Sequence, residues 1–293
     1  MRKLLLTLLS MASAFAYDAF ISAQTLHDES ANKNLVIIDV ANEKDFNRGH
    51  IPNAHRIEMG QLRKQVGKHQ LMRSADELEK LFRSLGVNTN SDVIIYGQNK
   101  KKESLKSAYT ALSLINMGHN SVSILDGGFV EWTYEDFLQE KKTVPVVEGN
   151  FKAAPRNDIM VDRSYVEKNI GKLPMLEARP AAFYYGTVQS GGVARRGHIK
   201  GAMSSFWKDK FTEDDMLQTP GILDEIFIKG YGLSSQKEVI LYCTGGLEAS
   251  MNWYILHQHM NFTKAKMYDA SMREWGNLDK TPMTRYAWET FAK

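Results

Sequence analysis

The chain has 293 residues, 43% hydrophobic and 24% charged, which suffices for one large or two ordinary domains and excludes a disordered chain. Its formal net charge of +3 is too near balance to imply a nucleic-acid partner. The single cysteine, Cys243, has no partner for an internal disulfide.

In chain order, the first segment reads "MRKLLLTLLSMASAFA". Arg2 and Lys3 give a positive start, Leu4 to Phe15 an apolar stretch, and Ala14-Phe15-Ala16 a small-residue cleavage pattern. Residues 1–16 are therefore predicted to be a signal peptide, cleaved after Ala16, that exports the chain to the periplasm or beyond. The run falls short of the roughly 20 apolar residues that cross a bilayer, so no membrane span is expected in the mature chain. That chain carries 35 basic residues (37 − 2 = 35) against 34 acidic ones. Export also sharpens the question of Cys243, since a lone thiol in an oxidising compartment is either buried and inert or retained for reactivity.

Past the leader, Val36-Ile37-Ile38 and Val93-Ile94-Ile95 have the length and β-branched composition of strands. Helices are predicted over Ser74 to Leu85, with apolar Leu78, Leu81, Phe82 and Leu85, and over Ser104 to Met117. The stretch from Lys141 to Asp158 breaks the pattern with Pro145, Gly149 and Pro155 and reads as a linker. Val239 to Tyr242 is again strand-like, and a helical pattern follows from Ala249. Alternating strands and helices imply an α/β fold with mostly parallel sheets flanked by helices.

The halves echo each other. "LVIIDVANEKDFNRGHIPNAHRI" resembles "LPMLEARPAAF…ARRGHIKGAMSS", "DVIIYGQ" matches "EVILYCT", and "VSILDGGFVEW" matches "AKMYDASMREW". The offsets are 148 residues for His50 and His198, 146 for Tyr96 and Tyr242, and 143 for Trp132 and Trp275 (198 − 50, 242 − 96, 275 − 132). Ordered matches with so little drift point to a duplicated domain, the period being too long for a solenoid.

Cys243 falls where the second copy's strand ends and a helix is about to begin, in the loop Cys243-Thr244-Gly245-Gly246-Leu247-Glu248-Ala249. Ligands of open α/β sheets bind at that edge. Gly245 and Gly246 can take positive φ and turn N–H groups inward, and such a nest beside a helix N-terminus favours an anion. A thiolate there is expected to have a lowered pKa and to act as a nucleophile, against the plainer reading of a buried, inert cysteine.

The loop and its surroundings resemble the tandem-domain rhodanese family of sulfurtransferases. The resemblance rests on "IIDV…DF..GHIPNA" and "VSILDGGFVEW" in the first half and "GHIKGA" and "YCTGG" in the second. It implies an N-terminal rhodanese-like domain over 17–145, inactive because Gly97 aligns with Cys243, a linker over 146–157, and a catalytic domain over 158–293. The counterpart loop "GQNKKKES" carries Lys100, Lys101 and Lys102, read as a solvated run in preference to a docking surface. The implied reaction is a double displacement. Cys243 takes sulfur from thiosulfate or 3-mercaptopyruvate as a persulfide and passes it to cyanide or a thiol, with no metal or organic cofactor.

The loop departs from both family patterns. Where thiosulfate-type loops carry two basic residues after the cysteine, this chain has Thr244 and Gly245. Mercaptopyruvate-type loops place a serine where Gly245 stands, paired with an Asp and a His that Asp39 and His50 match. Among candidate substrate arginines, Arg179, Arg195 and Arg196 remain; a further family arginine is Phe183 here. Arg179 reads first as a structural ion-pair partner and second as a ligand, and His50 and His198 read as buried histidines bonded to backbone. Glu248 either faces the pocket, where it would oppose a thiolate and favour a less anionic donor, or points outward along the first helical turn, the preferred reading.

Other functions make different demands. A phosphatase of this fold needs an arginine six residues after the cysteine, where this chain has Ala249. A non-enzymatic carrier that passes persulfide to a protein partner remains open, as does a pure scaffold with an unreactive cysteine.

Overall fold

The computed structural model describes residues 17–98 and 103–291; the predicted leader and the Lys100 to Lys102 run lie outside the described residues. The first half runs β1 (Phe20–Ile21), α1 (Ala23–Asp28), β2 (Leu35–Asp39), α2 (Glu43–Arg48), β3 (His55–Arg56), α3 (Met59–Leu62), β4 (Arg63–Val66), β5 (His69–Met72), α4 (Ala75–Ser84), β6 (Asp92–Tyr96), α5 (Glu103–Asn116), β7 (Val122–Leu125) and α6 (Gly128–Tyr134). Its five strands pair in the order β1-β7-β6-β2-β3, all parallel, while β4 and β5 form a separate antiparallel hairpin. The second half runs α7 (Arg163–Asn169), β8 (Met175–Glu177), α8 (Ala181–Tyr185), β9 (His198–Ile199), β10 (Met203–Ser204), α9 (Pro220–Asp224), β11 (Val239–Tyr242), α10 (Leu247–Tyr254), β12 (Ala265–Met267), α11 (Ser271–Trp275) and β13 (Met283–Thr284). Here the parallel sheet is β10-β8-β11-β12, and β13 pairs antiparallel with β9. Helices cover both faces of such sheets, which is why β6 and β11 are near-continuous apolar runs. No helix among the described residues is long and apolar enough to cross a membrane.

The pairs that reveal the repeat do the same work in each copy. Tyr96 Oη accepts from the Ile51 N–H at 3.0 Å, and Tyr242 Oη from the Ile199 N–H at 3.1 Å. His50 Nδ1 donates to the Phe46 carbonyl (2.9 Å) and stacks on that ring; His198 Nδ1 donates to the Tyr184 carbonyl (2.8 Å) and stacks likewise. Both histidines are thus buried structural groups. Trp132 and Trp275 donate through Nε1 to the Leu138 and Pro282 carbonyls.

Helices α5 and α10, each following the corresponding loop, pack against one another across the halves, and one apolar core runs through the contact. This explains why α5 lacks a polar face. Nearly all its residues are buried, and Ser107, Thr110 and Ser113 return their hydroxyls to carbonyls four residues back. The segment between α6 and α7 holds no helix or strand, yet it is tied to the first half. Gly149, Phe151 and Ala154 donate N–H bonds to the Arg83, Val87 and Met117 carbonyls. A Cβ at Gly149 would stand 2.0 Å from the Val87 oxygen, so only glycine fits there.

Candidate active site

Strand β11 ends at Tyr242, and the chain turns at Cys243 into α10. Burial of the strand on both faces fixes where the cysteine emerges, and Cys243 is itself 1% exposed. Its N–H donates to Ser271 Oγ (3.1 Å), and Ser271 Oγ in turn donates to the Tyr268 carbonyl. Ser271 has φ of 52°, costly for a residue with a side chain, and the hydroxyl's two bonds hold it there. The Cys243 and Thr244 carbonyls accept from the Met272 and Arg273 N–H groups, which sews the loop to the start of α11.

The inward nest forms, with a different division between the glycines. Gly246 has φ of +98° and donates its N–H to Cys243 Sγ at 3.1 Å. A Cβ there would meet Asp269 Oδ1 at 2.2 Å. Gly245 does not adopt positive φ; its missing side chain instead admits Arg273, whose Cδ lies 3.2 Å from where a Cβ would be.

Glu248 turns inward, contrary to the preferred sequence reading. Although it stands in the first turn of α10, its carboxyl group turns toward the Cys243 thiol and the Thr244 N–H, which both act on its charge. The electrostatics correct the expected low pKa. Burial, then the Glu248 charge, push the Cys243 thiol up to about 12, against N–H groups of Ala249, Gly245 and Gly246 that favour the thiolate. Burial likewise raises the Glu248 carboxyl, opposed by the thiol, the Thr244 N–H and the Arg179 charge.

The predicted supporting residues are mostly engaged elsewhere. Asp39 and His50 are not brought to Cys243: Asp39 ends β2 beneath the first copy's own loop, where it accepts from the Ala41 N–H (2.7 Å) and Gln98 Nε2 (2.8 Å). Burial pushes its carboxyl up to about 6. Its structural counterpart beside Cys243 is Glu177, since Asp39 pairs with Tyr96 as Glu177 pairs with Tyr242. Arg179 is buried in an ion pair with Glu177 and donates to the Gly197 carbonyl at 2.7 Å, the structural alternative. Arg195 is held by the Trp275 and Thr281 carbonyls, and exposed Arg196 turns back to Gln189 Oε1 and the Thr187 carbonyl.

The sequence reading missed a reach across the domains. Arg63, from the start of β4, donates through Nη2 to the Gly245 carbonyl (2.6 Å) and to Asp269 Oδ1 (3.1 Å), and lies over the Tyr109 ring. Asp269 also accepts from Tyr109 Oη (2.8 Å) and the Met72 N–H (2.9 Å). No local pattern announces Arg63, because its partners are 182 and 206 residues away. Arg273 did leave a trace: in "DASMREW" it replaces the Val130 of "DGGFVEW". Among the described residues, no cluster of three or more His, Cys, Asp or Glu side chains could hold a metal ion.

Residues 22–135 and 162–278 each match the rhodanese-like domain family. A putative thiosulfate sulfurtransferase of Haloferax volcanii is 27% identical over 93% of this chain and 98% of its own. The 3-mercaptopyruvate sulfurtransferase of Escherichia coli is 30% identical over 90% of this chain and 97% of its own. The sulfur carrier protein TtuD of Thermus thermophilus is 25% identical over 82% and 87%. The crystal structure of SseA from Escherichia coli, described as a 3-mercaptopyruvate sulfotransferase, superposes with a TM-score of 0.75 at 26% identity, covering 87% of this chain and 99% of that one.

Proposed function

Because the chain belongs to the rhodanese family and is a sulfurtransferase, we propose that it moves sulfur from thiosulfate or 3-mercaptopyruvate to cyanide or a thiol through a persulfide on Cys243. The observation that carries this reading is the Cys243 sulfur at the end of β11, receiving the Gly246 N–H at 3.1 Å, with the Glu248 charge acting on its thiol. In the first step the thiol proton passes to Glu248, and the thiolate attacks the donor's outer sulfur. An S–S bond forms to Cys243. The donor's own bond to that sulfur breaks, releasing sulfite or the enolate of pyruvate, which takes up a proton. In the second step the acceptor attacks the outer sulfur and the S–S electrons return to Cys243 as a thiolate, so the cycle has no net redox change. The loop N–H groups stabilise the anionic sulfur at both stages.

Mass spectrometry of the protein incubated separately with each donor tests this. A gain of one sulfur on the Cys243 peptide, lost on adding cyanide, is expected; no gain from either donor, with Cys243 still alkylated by iodoacetamide, rejects it. Similarity to the sulfur carrier TtuD favours a second reading, a carrier that loads stoichiometrically and discharges only to a protein partner. Discharge to cyanide at catalytic turnover argues against it. We further propose the domain limits 17–145 and 158–293, and export with cleavage after Ala16, for which N-terminal sequencing should begin at Tyr17.

A further inference from the structure

Beyond β13 the surface changes character. The stretch Met283 to Glu289 carries Arg285, Tyr286 and Trp288, and the two rings are 51% and 61% exposed. They are held in place. The Tyr286 N–H donates to the Tyr185 carbonyl (2.8 Å) and the Glu289 N–H to Tyr184 Oη (3.0 Å). Trp288 stacks on Tyr184 and Tyr185 at interplanar angles of 23° and 28°, so its ring lies flat with more than half of it open to solvent. Arg285 lies over the Tyr286 ring, 4.8 Å from its centre. Its backbone crosses two bare glycines, since a Cβ at Gly186 or Gly197 would stand 3.0 or 2.9 Å from the Arg285 Cβ.

Arg285 joins Arg195 and Arg196 around a cleft of about 510 Å³ whose wall includes Gln189 and Thr284. Among the described residues none of the three arginines forms an ion pair with a carboxylate. Arg196 reaches only the neutral oxygens of Gln189 and Thr187, and Arg195 Nε is buried without a partner. The stretch's own acid, Glu289, faces inward to the Gly201 N–H and Thr284 Oγ1. Three cations gathered without a counter-charge suit a partner that brings the anions. Trp, Tyr and Arg are also the residues that dominate interface hot spots, and a guanidinium takes a carboxylate through two parallel bonds. Insertion into lipid calls for apolar rings that project, whereas these lie flat, and a chain charge of +3 offers a nucleic acid little field to follow.

We propose that this cleft and its aromatic shelf dock an acidic segment of another protein, with carboxylates on Arg196 and Arg285 and an apolar side chain on Trp288. Gln189 in the cleft wall is followed by Ser190, whose hydroxyl meets Thr244 Oγ1 at 3.1 Å, so a partner seated there lies beside the Cys243 loop. The surface goes beyond the sulfur-transfer reading and stands whether or not Cys243 carries sulfur.

The test pans a displayed random dodecapeptide library against the immobilised full chain and measures the recovered peptides by fluorescence anisotropy. Peptides with two or more carboxylates beside an aromatic or aliphatic residue are expected. Arg196→Gln combined with Arg285→Gln should weaken them at least tenfold, as should Trp288→Ala, with Cys243→Ser binding them as the unaltered chain does. The two arginines are exposed, so the double variant keeps the test decisive if Trp288→Ala fails to fold. Failure to recover any peptide, peptides without acids, or acidic peptides indifferent to the arginine variant overturn the proposal. So do arginine-dependent retention on vesicles of equimolar phosphatidylcholine and phosphatidylglycerol without peptide binding, which marks a membrane face, and a dimer in sedimentation that Trp288→Ala dissolves, which marks a seat for a second copy.

Discussion

Replacing Arg63 with methionine should destabilise the protein by about 4 kcal/mol, because breaking a buried ion pair from one side typically costs about 3–5 kcal/mol. The structure puts Arg63 in that class. The Arg63 and Asp269 side chains are 3% and 4% exposed, and the guanidinium also serves the Gly245 and Gln70 carbonyls. Methionine fills much of the volume but leaves Asp269 with only Tyr109 Oη and the Met72 N–H as donors. Burial already raises the Asp269 carboxyl and Arg63 opposes that rise, so in the variant the carboxyl should climb further. An acid whose folded pKa exceeds its unfolded value binds more protons when folded, so the variant's deficit should grow as pH rises from about 4 toward neutrality. Equilibrium unfolding in urea at two pH values measures both effects. Adding Asp269→Asn to Arg63→Met should restore about 2 kcal/mol, a coupling expected of contacting residues. A loss below about 1 kcal/mol for Arg63→Met, or strict additivity in the double variant, would refute the reasoning.

The Glu248→Gln variant should separate reactivity from turnover. Removing the carboxylate that helps push the Cys243 thiol up to about 12 lowers its pKa, so iodoacetamide should alkylate Cys243 about tenfold faster at pH 8, while sulfur loading from 3-mercaptopyruvate falls about 100-fold for want of the proton acceptor. Slower alkylation, or undiminished loading, contradicts that role. Lys210 is fully buried beside Phe227 and Tyr231, hydrogen bonded to Ser205 Oγ and the Phe206 carbonyl, with burial pushing its amine down to about 7. Its charge therefore penalises the fold fully below about pH 7, by at most about 5 kcal/mol, and the penalty disappears toward pH 10.5. Lys210→Met should be more stable than the unaltered chain at pH 7, with the gap closing by pH 10; a pH-independent difference in urea midpoints rules this out.

The sheets, the duplication and the Cys243 loop were legible because each is written locally. Val93-Ile94-Ile95 and Val239 to Tyr242 are too apolar to be anything but doubly buried strands, and the three residue pairs that mark the repeat recur because each makes the same hydrogen bond in both copies. What failed was assignment by likeness of position. Asp39 and His50 match a family pattern, but their burial under the first copy's own loop keeps them from Cys243. The orientation of Glu248 depends on whether a carboxylate finds donors by folding back. The Thr244 N–H and the Cys243 thiol both act on its charge, an environment that no local sequence pattern announces. Arg63 needed tertiary knowledge altogether.

The cross-domain contacts give the first copy a structural part in the second copy's loop. In the first copy a Cβ at Gly97 would stand 2.4 Å from Glu103 Cβ, so no cysteine fits, and Glu103 takes the Gln98 N–H to close the loop on itself. The aspartate of each copy's "DGG" or "DAS" motif nevertheless binds a backbone N–H from the other copy. Asp126 takes that of Leu217 (3.0 Å), and Asp269 that of Met72 (2.9 Å). Each domain thus lays a segment over the other's loop edge, and among the described residues only the first sends an arginine with it, to the Gly245 carbonyl. Gly245 is the residue whose bareness admits Arg273, and it sits between Cys243 and the Gly246 that donates to the sulfur. The first copy thus contributes position to the second copy's loop. It fixes the carbonyl on which the second copy's loop turns, and a lone second domain would present Cys243 in a loop with nothing to hold that carbonyl in place.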